Sequence, residues 1–538
     1  MNTLSSNVMS RHKTAVRLRV PPFFFTFSLL HIHMNTQETQ ARQRDTRDIV
    51  WGAIINLAGA AIRSLRLLLL FTLGHLYGAE GIGRYLLAYA TLDTLNKLVL
   101  MGLDQAVLTH TARRYADEDT DGMYETIGQA LTMSLAAACI VSVGLSLLAP
   151  WLANTFFHKP ALGPALRMMA WALPFWAFSA ILLFATRALR VMHYEVIAKA
   201  TVEPLVILAL ALGFYALGWG PSGLWLAVFV SSVVGAGTVA YLFSRKFSLT
   251  RLWRSLRIAP GRWRLYRFAM QIGLVELVSE LVKRIDMFLI GRYLTADMLG
   301  IYGIAQEWAS TITKIRQAFN PIFVPVISAA HQKHDRAGML HQYRNVTRWI
   351  LILNACVLGG IILSGEALMH LFGAQFGQGA PVAVVLTLAL AIQGVLGVSE
   401  LFLLIDKPWI NLVNTVIALL ASIGLNLLLI PRYGMLGAGC SVLILQAILN
   451  LTRLFEVAML YHLQPLTRYH AKAAMAFLLA VGAVWRLQQA LGGTGGGMAL
   501  GAVVAFWLLY FALLAMMGLA PEEKRLLTRW QGRHVARP

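Results

Sequence analysis

The sequence predicts an all-α polytopic membrane protein, and three observations lead there. The 538 residues are 58% hydrophobic with a mean hydropathy of +0.63. Only 13% are charged, where soluble domains carry about 25%. Apolar runs long enough to cross a bilayer recur from residue 49 to residue 519. The expected architecture is about fourteen transmembrane helices: two pseudo-symmetric six-helix lobes plus two C-terminal helices.

In chain order, residues 1–48 read as a basic cytoplasmic segment. Its run Phe23–Leu30 resembles a short signal core but lacks a small-residue cleavage site, and Met34 opens a second plausible start. Spans are expected at roughly 49–75, 82–108, 123–149, 165–187, 196–217, 221–243, 266–291, 299–326, 346–368, 381–405, 409–431, 436–460, 471–490 and 498–519. They group as an N-terminal lobe (49–243), a basic amphipathic linker (244–265), a C-terminal lobe (266–460), two added helices (471–519) and a basic tail (520–538).

Lysine and arginine alternate between the two sides of this layout. Arg245, Lys246, Arg251, Arg254, Arg257, Arg262, Arg264 and Arg267 crowd the loop between spans six and seven. The N-terminal segment, Arg113–Arg114, Arg187, Lys333, Lys407, Arg468 and the tail from Lys524 fall on the same side; the other side has only Lys159, Arg292, Arg432 and Arg486. The bias puts both termini in the cytoplasm. The net charge of +21 is therefore topological and does not indicate nucleic acid. The linker suits a helix lying on the anionic inner leaflet. The loops on the other side are too short for a folded domain. Cys139, Cys356 and Cys440 lie inside apolar runs as packing residues, with no disulfide or metal spacing.

The seventh span carries Glu276, Glu280, Lys283, Arg284 and Asp286. The first four share one helix face, with Asp286 at its flank. A charge at membrane depth costs about 2.5–3.5 kcal/mol on insertion scales, so this stripe faces protein or a wet cavity. Partnered charges gluing helices together are one reading; the wall of a translocation cavity is the other.

An internal repeat points to the second reading. A shift of 217 positions lays Gly74 on Gly291, Ala79 on Ala296, Gly83 on Gly300, Tyr85 on Tyr302, Thr94 on Thr311 and Lys97 on Lys314. Six spans separate the mates, so the halves share one orientation, a parallel repeat. Arg63 falls on Glu280 and Arg66 on Lys283. Charged faces thus recur on the first two spans of each half: Arg63 and Arg66; Asp93, Lys97 and Asp104; the seventh-span stripe; Glu307 and Lys314. Asp93 and Lys97, spaced i,i+4, can also neutralise each other. Glu203, Glu400 and Asn450 suit helix–helix partners, and Pro174, Pro204, Pro321 and Pro325 suit kinks or hinges.

On these residues the chain resembles the polysaccharide transporter family of the multidrug/oligosaccharidyl-lipid/polysaccharide exporter superfamily. The resemblance rests on Leu73–Ala88, Arg284–Ala305, N-P-I-F-V-P-V-I-S (Asn320–Ser328) and Leu425–Gly439, and covers about residues 49–519. The acidic character of span seven and the extra N-terminal segment depart from it. The resemblance implies a non-enzymatic flippase in a bacterial inner membrane, without cofactor or metal. Such a flippase moves a prenyl-diphosphate-linked oligosaccharide, a polysaccharide or O-antigen repeat unit, from the cytoplasmic to the periplasmic leaflet. Membrane lipids and a polysaccharide polymerase or other assembly proteins are the expected partners. Guanidinium and ammonium groups suit diphosphate oxygens, which makes Arg63, Arg66, Lys97, Lys283, Arg284 and Lys314 the candidate substrate-binding set. Asp93, Glu276, Glu280 and Asp286 are the candidate gating or ion-coupling set, with Glu280 expected to pair with Arg63. The alternatives are a lipid II flippase, a multidrug or cation antiporter of the same superfamily and, more remotely, a membrane glycosyltransferase or ligase.

Overall fold

Helices follow directly from the composition, because a backbone crossing lipid must satisfy its hydrogen bonds within the segment. The structure, a computed structural model, describes residues 65–256, 262–492 and 496–517, all within one compact unit, Arg63–Pro538. The N-terminal segment, most of the first span with Arg63, residues 257–261 of the linker, residues 493–495 and the basic tail lie outside the described residues.

The first half contains α1 (Leu65–Leu100), α2 (Leu103–Ala116), α3 (Thr120–Phe156), α4 (Leu162–Ala170), α5 (Leu173–Ala188), α6 (His193–Ala216) and α7 (Gly220–Ser244). The linker helix α8 (Leu249–Ser255) follows. The second half contains α9 (Arg262–Tyr293), α10 (Ala296–Ser310), α11 (Thr313–Gln332), α12 (Arg336–His370), α13 (Ala374–Leu396), α14 (Ser399–Asp406) and α15 (Pro408–Tyr461), followed by α16 (Arg468–Ala490) and α17 (Gly496–Met516). Among the described residues there is no strand. Eight of these helices are long and apolar enough to cross a membrane, or ten if each of the bent pairs α1–α2 (47°) and α4–α5 (44°) is one span.

Two of the helices are hairpins. A straight helix the length of α15, 54 residues, would run about 80 Å, far more than a bilayer. Its backbone breaks at Gly434 (φ 59°, ψ −136°). Asn411 then meets Arg453, and Asn414 meets Glu456, each at 2.7–2.8 Å. Partners placed symmetrically about residue 434 mean that the arms run antiparallel. α1 does the same at Gly78 (φ 67°), bringing Arg66 over the Tyr89 ring. Glycine is needed at both turns because positive φ costs it nothing. With α4–α5, α10–α11 and α13–α14 each taken as one bent element, the described residues follow the order of the expected spans from Leu65 onward.

Several expectations change in detail. Spans two, four, eight and ten break near Gly102, Trp171, Thr311 and Gly397. Pro174 sits in the first turn of α5, where the missing N–H costs nothing, while Pro204 lies inside α6 directly after its π-helical turn Val196–Val202. Cys139 is exposed, not packed, while Cys356 and Cys440 are half-buried.

The repeat extends further than the sequence alignment showed. α3 and α12 open with the same device: a left-handed residue (Glu118, His334), then an aspartate whose carboxylate accepts from a glycine N–H three residues on. Asp119 accepts from Gly122 and Asp335 from Gly338, both at 2.9 Å. A one-residue change of register hides this pair from an ungapped shift of 217.

The halves meet chiefly through α1 and α2 against α9 and α10. Repeat mates touch each other there. A Cβ on Gly83 would collide with the carbonyl of Ala296 and lie 2.9 Å from the Gly300 nitrogen; one on Gly300 would collide with the carbonyl of Ala79 and lie 3.0 Å from the Gly83 nitrogen. Two small-xxx-small pairs thus cross backbone to backbone. α16 and α17 pack on α12 through Ala473, Ala476, Ala480, Phe506 and Tyr510. Replacing Gly83 with valine should lower the stability of purified protein by about 1–3 kcal/mol, read as a drop in thermal midpoint in detergent. An unchanged midpoint would show that the crossing tolerates separation.

Candidate functional site

Three ion pairs cross between the halves. Arg66 Nε on α1 lies 3.5 Å from Glu307 on α10. Arg284 on α9 donates to Asp93 Oδ2 on α1 at 2.7 Å. Lys97 on α1 donates to Glu276 Oε2 on α9 at 3.0 Å, and Gln105 on α2 donates to the other oxygen of Glu276 at 3.1 Å. The pairs stand one above another because their helices run alongside: Asp93 and Lys97 are one turn apart on α1, Glu276, Glu280 and Arg284 on successive turns of α9.

The pairs are not fully buried: side-chain exposure is 42% for Arg66, 31% for Lys97, 22% for Arg284 and 69% for Lys283. Glu280 is mostly buried and accepts from Arg284 Nε at 2.9 Å and Lys283 Nζ at 3.4 Å on its own helix. Arg284 is therefore held by two carboxylates, one from each half.

This arrangement corrects one expectation, while another lies outside the described residues. Asp93 and Lys97 do not neutralise each other: each finds a partner on α9, because the face they share points at that helix. Glu280 is occupied by Lys283 and Arg284, while its expected partner Arg63 lies outside the described residues. The structure also separates two residues from the cluster. Asp286 is buried, accepting from Tyr302 Oη at 2.5 Å, Gln306 Nε2 at 3.3 Å and the Met287 N–H at 2.7 Å; it ties α9 to α10. Lys314 is half-buried and makes no side-chain ion pair among the described residues.

Beside the ion pairs, cations and rings alternate in the first half. Arg66 stands 5.5 Å from the Tyr89 ring, Tyr89 and Trp176 are 5.2 Å apart, and Lys199 lies 5.9 Å from Trp176. Lys199 sits on a π-helical turn, Val196–Val202, and pairs with Glu203 at 2.5 Å. In the second half Glu400 lies between Arg316 (3.4 Å) and Arg453 (3.3 Å), a helix–helix tie. Glu307 was legible as a charged face, but Gln105, Lys199, Arg316 and Arg453 were not singled out. A Lys–Glu spacing of four at 199 and 203 was the available signal for one of them.

Comparison with known proteins agrees with this geometry. The family model described as "Polysaccharide biosynthesis protein" matches residues 76–381, more than half of the chain. The Teichuronic acid biosynthesis protein TuaB of Bacillus subtilis (strain 168) is 30% identical over 131 residues, 23% of this chain and 26% of that protein. The match thus spans about a quarter of that relative's length. Among solved structures, the lipid II flippase MurJ in an inward closed conformation superposes with TM-score 0.69 at 14% identity, covering 86% of this chain and 98% of that one. An inward-facing multidrug resistance MATE family transporter of the MOP superfamily superposes with TM-score 0.61 at 17% identity, covering 74% and 98%. At these identities the superpositions establish the fold. The apolar helices, the paired halves and the family match together make this a multi-pass membrane protein with the fold shared by those two structures, and the chain belongs to the polysaccharide biosynthesis protein family.

Proposed function

We propose that this chain flips a prenyl-diphosphate-linked oligosaccharide, a polysaccharide or O-antigen repeat unit, from the cytoplasmic to the periplasmic leaflet of a bacterial inner membrane. The observation that carries this reading is the set of half-exposed ion pairs joining the halves, in which every cation has a carboxylate that an incoming anion can replace. A half-exposed pair is worth roughly 0–1 kcal/mol, so exchange is easy. A diphosphate, like a carboxylate, offers the planar guanidinium group pairs of oxygens for bidentate hydrogen bonds, with more charge.

In this mechanism Lys283, the most exposed cation of the stripe, meets the diphosphate first. Arg284 and Arg66 then exchange Asp93 and Glu307 for phosphate oxygens, with Lys97 and Lys314 in support. The prenyl tail remains in lipid. Losing the cross-ties frees the halves to rock, the motion alternating access requires. Asp93, Glu276, Glu280 and Glu307 are the carboxylates that substrate would release from their cations; the first three, with their place on the α1–α9 face, are where a proton or sodium ion would couple to the cycle. Both termini stay cytoplasmic, as the basic-loop bias requires.

Flipping of a head-group-labelled prenyl-diphosphate sugar in liposomes tests the site. The double variant Arg66→Ala/Arg284→Ala should lose at least about tenfold in rate, the scale of one or two charged hydrogen bonds. Near-wild-type flipping would remove the diphosphate site, and flipping of lipid II alone would reassign the substrate. A double-mutant cycle on Asp93→Asn and Arg284→Gln, read as apparent unfolding free energy, should give a coupling of about 0.5–3 kcal/mol. That coupling should exceed the one between Asp93 and Lys97. The reverse order would return these residues to a local i,i+4 pair.

A further inference from the structure

The end of the molecule that carries few basic residues is closed by two matching contacts. In one, a loop of the first half covers the α9–α10 turn: buried Phe157 lies against Gly291, where an added Cβ would stand 3.3 Å from the phenylalanine ring and 2.9 Å from Leu87. In the other, a loop of the second half covers the α1 turn: Phe372 lies against Gly74, where a Cβ would stand 3.1 Å from the Phe372 carbonyl. Gly74 and Gly291 are repeat mates, and the two phenylalanines correspond within two positions under the same shift. Between these contacts lies the Ala79/Gly83–Ala296/Gly300 crossing.

The two contacts differ in one respect. Lys159 Nζ donates to the Leu294 carbonyl at 2.6 Å, to the Phe157 carbonyl at 3.3 Å and to the Gly291 carbonyl. It therefore fills the acceptors left open at the C-terminal end of α9, where the helix dipole also favours a cation. Beside it Arg292 bonds the His158 ring. In the matching loop no residue of the stretch Gly373–Phe376 carries a charge. Burial, with Arg292 nearby, lowers the Lys159 pKa from the ordinary lysine value.

We infer that Lys159 is a one-sided latch on this closure: it ties the first-half loop 157–161 to the end of α9, and its release permits the halves to part at the charge-poor end. The contact on the Gly74 side, being apolar and uncharged, acts as the hinge. The inference rests on the flippase reading for its purpose, but its test needs no substrate.

The native cysteines are replaced and spin labels placed at Glu80→Cys and Asp297→Cys, exposed repeat mates beside the crossing. Their separation is measured in the full-length protein in liposomes. Lys159→Met keeps the side-chain length and removes the donor; Lys159→Arg keeps a charged donor. The methionine variant should move the main distance peak to longer values, with the ratio of open to closed populations rising about tenfold, as expected for a lost charged hydrogen bond. The arginine variant should remain closed. Gly291→Leu, which wedges the same contact from the other side, should open it as well. If the methionine variant elutes as folded protein with the wild-type distance distribution, Lys159 merely staples its own loop and the latch is refuted. If wild-type protein flips no lipid-linked sugar yet the methionine variant opens, the latch stands and the substrate assignment falls.

Discussion

The structure depends on how closely α1 and α10 approach. Without side chains at Gly83 and Gly300, and with only methyl groups at Ala79 and Ala296, the two backbones touch directly. In lipid there is no hydrophobic drive to press helices together, so close packing of small residues does that work. This crossing brings Arg66 to Glu307, and a second close backbone approach, Met101–Gly102 against Ala269 and Gly273, holds α9 beside α1 for the other two pairs. Were the helices held apart by the usual 8–10 Å of larger side chains, Arg66 could not approach Glu307, nor Arg284 reach Asp93.

From that crossing the charged groups run toward the basic-loop end. Arg66, Asp93, Lys97, Glu276, Arg284 and Glu307 are each partly exposed and bound to an opposite charge supplied by the other half. This is a compromise between two failures. A fully buried pair would hold the halves together with the several-kcal/mol penalty of a broken buried charge. A fully solvated set would give no connection at all. Partial exposure leaves the ties weak enough to exchange. Asp286 shows the contrast: fully inside, satisfied by Tyr302, Gln306 and a backbone N–H, it braces two neighbouring helices.

Much of this was legible in the residues. Hydropathy gave the passes, and the 217-residue shift named the glycines that later proved to touch. The stripe on span seven was visible because 3.6-residue periodicity puts Glu276, Glu280 and Arg284 on one face. What periodicity cannot supply is the partner. Asp93 and Lys97 looked like a local pair because a one-dimensional pattern contains only i,i+4 neighbours; the competing carboxylate and guanidinium lie almost two hundred positions away. Asp286 was one-third of a turn from the stripe, and that angle decides between cavity and core. The matched caps at Asp119 and Asp335 escaped notice because one residue is lost between the halves. Lys159 looked like an ordinary loop lysine, since its acceptors are backbone carbonyls that no side-chain pattern marks.

The contact between Gly83 and Gly300 has a meaning beyond closure. When corresponding residues of two copies touch each other, the axis relating the copies passes through that point, the arrangement found in self-complementary two-fold dimers. The present chain has that arrangement inside a single polypeptide. Its two halves are placed as two identical six-pass subunits would be if they had first associated as separate chains, with the linker between α7 and α9 joining them afterwards. The charges that now differ between the halves, Arg63 against Glu280 and Lys159 against the uncharged stretch Gly373–Phe376, then record what a fused pair is free to do and a symmetric dimer is not: give its two sides different work.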